Sequence, residues 1–145
     1  ALKDSTNNSG SNDDAANIVN LTGDEQEDIK ARSQPDYQLG GSAINITWQG
    51  ESNITNTVSI GIRGLGKTDT GTAIASTKLS PSERPDQAVD LTVTYEGTDY
   101  ETVDQSGDVE VTTNTDSRIE GTINAIELEA DGKSVTANGS FAVDK

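Results

Sequence analysis

The feature that most constrains this chain is a period of two that dominates from Ala43 onward. In "AINITWQ", Ile44, Ile46 and Trp48 fall on one face, with Asn45 and Thr47 on the other. "TVSIGIR" alternates Val58, Ile60 and Ile62 with Thr57, Ser59 and Arg63. "AVDLTVTYE" sets Val89, Leu91, Val93 and Tyr95 against Asp90, Thr92 and Thr94, and "GDVEVTT" repeats the pattern with Val109 and Val111. Strict alternation of this kind marks strands with one buried face, and β-branched residues pack well on a pleated surface.

The last third carries the clearest signals. In "RIEGTINAIELEADGKSVTANGSFAV", Asp131-Gly132 is a tight-hairpin dipeptide between two alternating runs. Ile119 and Ile123 share one parity, while Ile126 and Leu128 hold the other. A β-bulge near Asn124 and Ala125 would reconcile them, as would a strand buried on both faces. Downstream, Val135, Ala137, Phe141 and Val143 share parity; Asn138-Gly139 either turns the chain or lies within one continuous strand. "TGTAIAST" reads as a weaker strand around Ile74, and "KLSPSERPDQ", with two prolines, as a loop.

Together these runs predict an all-β chain: an antiparallel β-sandwich or small barrel of about eight strands with an extended N-terminal arm. No segment of crossover length looks helical, which argues against a parallel α/β sheet. The expected core is Ile44, Ile46, Trp48, Val58, Ile60, Ile62, Val89, Leu91, Val93, Val109, Val111, Ile119, Ile123, Phe141 and Val143.

Residues 1–40 differ in kind. The opening "ALKDSTNNSGSNDDAANIVNLTGDEQED" is rich in Ser, Asn, Asp and Gly and builds no core of its own. Within it, "NIVNLT" is a short alternating strand, and "TGDEQEDIKARS" has the spacing of a capping box at Thr22 and Glu25, which predicts a short surface helix. The chain is therefore expected to divide into a polar arm over 1–40 and a β-sandwich domain over 41–145, entered at Gly40-Gly41.

Charge and composition exclude several functions. The formal charge is −15, from 25 acids against 10 bases. Such a field repels nucleic-acid phosphates and anionic lipids. No apolar run approaches a membrane span, so no membrane insertion is expected. The sequence has no Cys, Met or His. That removes disulfides, thiolate metal sites, cysteine nucleophiles and Ser–His triads. An oxidation-proof, acidic, Thr- and Val-rich composition suits either a salty habitat or an ordinary secreted protein. The start at Ala1 is that of a mature chain trimmed by a signal peptidase, or of any chain cut at its start.

One stretch imitates a nucleotide site. "GIRGLGKT", Gly61 to Thr68, fits G-x-x-x-x-G-K-[ST]. A phosphate cradle needs a helix after it, and the next residues, "DTGTAIAST", are poor helix formers. A glycine-rich turn is expected instead, with Gly64 and Gly66 at positive φ and Lys67 solvated. No cofactor is expected. The acidic clusters "NDD", "GDEQED" and "DQSGD" suit calcium at most, and none has EF-hand spacing. Five Asn-x-Ser/Thr sequons stand at Asn7, Asn20, Asn45, Asn53 and Asn138, with Asn20 and Asn45 expected to point outward.

The segment 107–144 resembles the C-terminal part of a family of bacterial surface lipoprotein β-domains of unknown function. Gly107, Ile119, Gly121, Gly139, Phe141 and Val143 stand at the matching points. Ile123 replaces the family's aromatic residue, and its lipidated cysteine is absent. The resemblance implies a secreted β-domain and no activity.

Two functions are expected, neither of them an enzyme. In the first, the chain is a secreted structural subunit of an extracellular filament or surface assembly, whose partners are other copies of itself. The strand bearing Ile18, Val19 and Leu21 would add to the sheet edge of a neighbour, and head-to-tail addition builds a fibre. In the second, the chain is a monomeric cell-surface binding module with the arm as a spacer.

Overall fold

The alternating runs fold as strands of a single sheet. The computed structural model describes residues 17–40, 43–78 and 80–145, and these are all-β with no helix. Eleven strands run in chain order: β1 (Ile18–Gly23), β2 (Glu27–Lys30), β3 (Asp36–Gly40), β4 (Ala43–Gln49), β5 (Thr57–Arg63), β6 (Gly71–Ala75), β7 (Ala88–Tyr95), β8 (Thr98–Thr102), β9 (Asp108–Asn114), β10 (Arg118–Ala130) and β11 (Lys133–Asp144). Their order across the sheet is β2-β1-β11-β10-β9-β6-β7-β5-β4-β3, and β8 lies between β10 and β7.

The sheet is mixed rather than wholly antiparallel. β6 runs parallel to β7, with Ile74 opposite Ala88 and Ala75 opposite Val89. The proline-containing loop 76–87 makes that crossover. It is braced where Arg84 Nη1 donates to the carbonyls of Pro85 and Asp86.

The sheet curls until its inward faces share one core, which takes side chains from β1 and β2 as well as from β4 to β11. Every residue of the expected core is buried. Each fully buried aliphatic side chain contributes roughly 1.5–3 kcal/mol. A seam joins the two ends. Ala31 bridges Gly50, the Arg32 N–H donates to the Gln49 carbonyl at 3.0 Å, and the Glu51 N–H donates to the Lys30 carbonyl at 2.7 Å. The buried Trp48 indole N–H donates to the Ile29 carbonyl across this seam at 3.1 Å. Pairing there is too short to make a regular closed barrel.

The long β10–β11 hairpin matches its sequence closely. Asp131 (φ 50°) and Gly132 (φ 79°) make the turn. The register shifts between Ile123 and Ile126, with Ala125 at φ 52°, so a bulge turns Ile126 and Leu128 inward. β11 runs straight through Asn138-Gly139.

Three expectations need correction. The helix foreseen near Thr22 and Glu25 is absent: Thr22 continues β1, and "EDIK" is β2, whose Ile29 is buried in the core. Of the acids in that stretch, Asp24 and Glu25 precede β2, and Asp28 is its exposed residue. Residues 18–40 do not form an arm separate from 41–145, because β1 to β3 belong to the same sheet. Strands β2, β3 and β8 raise the count from about eight to eleven.

Candidate functional site

The expected assembly strand docks within its own chain. β1 lies between β11 and β2, with Ile18 opposite Ser140, Val19 opposite Gly139 and Leu21 opposite Ala137. Val19 and Leu21 are buried and Ile18 is half-buried. The buried Asn17 extends the ladder with its side chain. Its Oδ1 accepts from the Ala142 N–H at 2.8 Å, and its Nδ2 donates to the Ala142 carbonyl at 3.0 Å. Strand addition to a neighbour thus requires β1 to leave this position. The "NDD" cluster lies outside the described residues.

The sequons take different settings. Asn45, Asn53 and Asn138 are exposed, while Asn20 is half-buried and donates to Asp28 Oδ1 at 2.7 Å. Asn138 Oδ1 accepts the Ala125 N–H of the bulge at 2.9 Å. Asn20 and Asn138 stand opposite each other across β1 and β11. Asn7 lies outside the described residues.

The P-loop imitation is a turn between β5 and β6. Gly64 has φ 82°, as expected, whereas Gly66 is not at positive φ; its N–H donates instead to Asp69 Oδ2 at 3.2 Å. Lys67 offers its carbonyl to Lys145 Nζ at 2.9 Å. Among the described residues, no three acidic side chains converge as a metal site.

The outer face of β4, β5 and β7 is the distinctive surface. Register places Thr47 beside Ser59 and Ser59 beside Thr92; the next row sets Gln49, Thr57 and Thr94 side by side. The two rows are uncharged hydroxyls and amides on a chain of charge −15. Acids only rim them, as with Asp99, whose Oδ1 accepts from Thr94 Oγ1 at 2.6 Å. On the β4 side the loop after β2 rises beside the rows. Ser33 and Gln34 there and Asp36 at the start of β3, with Thr47, Gln49, Thr57 and Ser59, line a groove of about 410 Å³. Trp48 and Val58 also line it. Sequence reasoning put these hydroxyls on outward faces but could not show that β5 pairs with β7 and skips β6.

No family model, curated protein or solved structure matches the chain.

Two polar ties lie beyond that face, one at each end of β11. At the first, Glu25 Oε2 accepts from the buried Tyr100 hydroxyl and from Lys133 Nζ, both at 3.0 Å. The Lys133 and Tyr100 hydrogen bonds hold the Glu25 carboxyl below its usual value. Burial first, then Glu25, raises the Tyr100 phenol. At the second, Lys145 Nζ meets Asn114 and lies 5.2 Å from the centroid of the Tyr37 ring. Burial lowers the Lys145 amine and raises the Tyr37 phenol, whose buried hydroxyl has no hydrogen-bond partner among the described residues.

Proposed function

We propose that this chain is a secreted or cell-surface binding module whose contact surface is the outer face of β4, β5 and β7. The observation that carries the reading is the uncharged hydroxyl and amide rows, with their groove, on a strongly acidic molecule. Hydroxyls and primary amides both donate and accept, so such a face suits a neutral polyhydroxylated ligand. Asp36 at the rim would accept from ligand hydroxyls. Anionic ligands are repelled by the surrounding field.

A screen of the full chain against neutral polysaccharides tests the reading. Binding should be lost in Ser59→Glu, which puts a charge in the middle of the rows. No binding to any neutral glycan, or undiminished binding in Ser59→Glu, would overturn it. A glycan on Asn45, beside Thr47, would shield one end of the face, so the screen uses unglycosylated protein.

The filament reading stands second. The observation that favours it is the thin seam: past the Ala31–Gly50 bridge, two backbone hydrogen bonds and the Trp48 indole bond hold the β1–β2 hairpin to the β4 side, so the hairpin would exchange between copies as a unit. The chain has no Cys, so Asn20→Cys with Asn138→Cys reports the arrangement directly. A disulfide within one chain supports the binding module. A ladder of linked chains supports exchange of β1.

A further inference from the structure

At the far end of β11 a lysine amine rests on a side-chain amide. Lys145 Nζ donates to Asn114 Oδ1 at 2.6 Å and to the Lys67 carbonyl at 2.9 Å. Asn114 is buried and closes β9. Its Nδ2 donates to the Asp69 carbonyl at 2.8 Å and to the Gly66 carbonyl at 3.2 Å. The amide is thus fixed with its nitrogen toward the β5–β6 turn and its oxygen toward the amine. A carbonyl bond of about 1.23 Å puts Nζ no more than about 3.8 Å from Cγ. Both backbones are pinned as well. The Lys145 N–H donates to the Ser117 carbonyl at 3.0 Å, and Asn114 pairs with Ile119.

We propose that Lys145 and Asn114 become joined by an intramolecular amide bond. The ammonium first gives one proton to solvent at alkaline pH. The neutral Nζ then attacks Cγ, and the carbonyl electron pair moves onto Oδ1. One proton passes from Nζ to Nδ2, the Cγ–Nδ2 bond breaks, and Nδ2 leaves as ammonia as the carbonyl re-forms. The product is a secondary amide with one hydrogen on Nζ. No oxidant, metal or cofactor takes part. The contribution of the fold is proximity, the kind of positioning that makes a slow bimolecular step intramolecular. Burial helps by enlarging the neutral fraction of the amine. The new bond would span β10, tying the end of β9 to the end of β11.

Intact mass and tryptic mapping of the full chain, after prolonged incubation at alkaline pH, test the proposal. The expected result is a mass lower by one ammonia, with a linked pair of peptides, 79–118 and 134–145. The linked pair should be missing in Lys145→Arg, which keeps the cation but forms no such amide. An unchanged mass overturns the proposal. Loss of ammonia without the linked pair overturns it too, because Asn138-Gly139 can lose ammonia by cyclising on its own backbone. If Lys145→Arg does not fold, the linked pair in the unaltered chain decides alone.

Discussion

The outer faces of β4–β5–β7 and of β8–β10–β9 are built on the same alternation yet carry opposite chemistry. On the first, hydroxyls and amides neighbour one another: Thr47, Ser59 and Thr92, then Gln49, Thr57 and Thr94. On the second, Glu129 stands directly opposite Glu101, Thr122 opposite Glu110, and Asn124 opposite Asp108. Beneath both, the inward residues are the same kind of aliphatic side chain in one shared core. Folding requires only that outward positions be polar. Choosing two uncharged rows on one face, with Asp90 and Arg63 only beyond them, and acids on the other is therefore not dictated by the fold, and that choice is where function leaves its mark.

The largest expected effect tests whether the two faces cover the same core. Leu91→Ala beneath the neutral face and Leu128→Ala beneath the acidic one should each cost about 2–5 kcal/mol. Urea unfolding measures both. A large loss at one site with neutral behaviour at the other would break the comparison, since the faces would then sit on unequal supports.

Next comes binding. Thr57→Glu should weaken binding of a neutral polysaccharide at least tenfold, about 1.4 kcal/mol or more. Glu110→Gln on the acidic face should leave it unchanged. Titration calorimetry reads both, and equal losses would mean that the neutral rows are not the contact surface.

Charge gives a smaller effect. Like charges directly opposite on a sheet are destabilising, by roughly 0.2–1 kcal/mol. Glu101→Gln should therefore raise the melting temperature at about 10 mM salt and lose that advantage near 1 M, where screening is nearly complete. Thr92→Val, its neighbour on the neutral face, should respond to salt as the unaltered chain does. The unaltered chain itself should melt lower at about 10 mM than at about 1 M salt. A flat dependence would remove the repulsion argument.

How much of the fold is legible in the sequence differs strand by strand. β10 and β11 are long, so their parity break at Ile126 and their Asp-Gly turn can be read and located. β2 and β3 escape because each offers too few apolar residues to show a period: Ile29 in "EDIK", Tyr37 and Leu39 in "DYQLG". β8 escapes for another reason. Its buried residues are Tyr100 and Thr102, and the Thr102 hydroxyl is satisfied by bonding both the N–H and the carbonyl of Leu91 at 2.8 Å. A hydroxyl spent on a neighbouring backbone looks like a surface residue in sequence. The signal that would have found β8 is the Glu96-Gly97 turn, at φ 50° and 82°. The candidate face is half legible: its outward hydroxyls can be assigned strand by strand, but their assembly into rows depends on the non-local pairing of β5 with β7. The same core membership of Val19, Leu21 and Ile29 means that a chain starting at Gly40 loses part of its core and should not fold as a separate domain.

The smallest expected effect concerns the tie beside the acidic face, where Glu25 accepts from Lys133 and Tyr100. The neutral face has no such titrating tie, so pH should separate the two regions. The Glu25 carboxyl is lowered from 4.5 by its bonds to Lys133 and Tyr100. A lowered carboxylate stabilises the fold fully above the unfolded value and loses that contribution as pH falls through the folded value. Lys133 is raised from 10.5, first by its bond to Glu25. Its contribution is complete below 10.5 and is lost as pH rises through the higher folded value. Between those limits the tie's contribution is flat with pH. Glu25→Gln should therefore sit below the unaltered chain by a constant difference in urea midpoint across that plateau. The two curves should converge below the folded value of Glu25, where the unaltered carboxyl is protonated as well. Some acid sensitivity should persist in the variant, because Asp104 is also lowered, chiefly by the Thr77 N–H. Thr57→Val on the neutral face removes no titrating group, so its difference from the unaltered chain should not change with pH. Curves for Glu25→Gln that fail to converge in acid, or a Thr57→Val difference that does, would show that the ion pair does not distinguish the two sides.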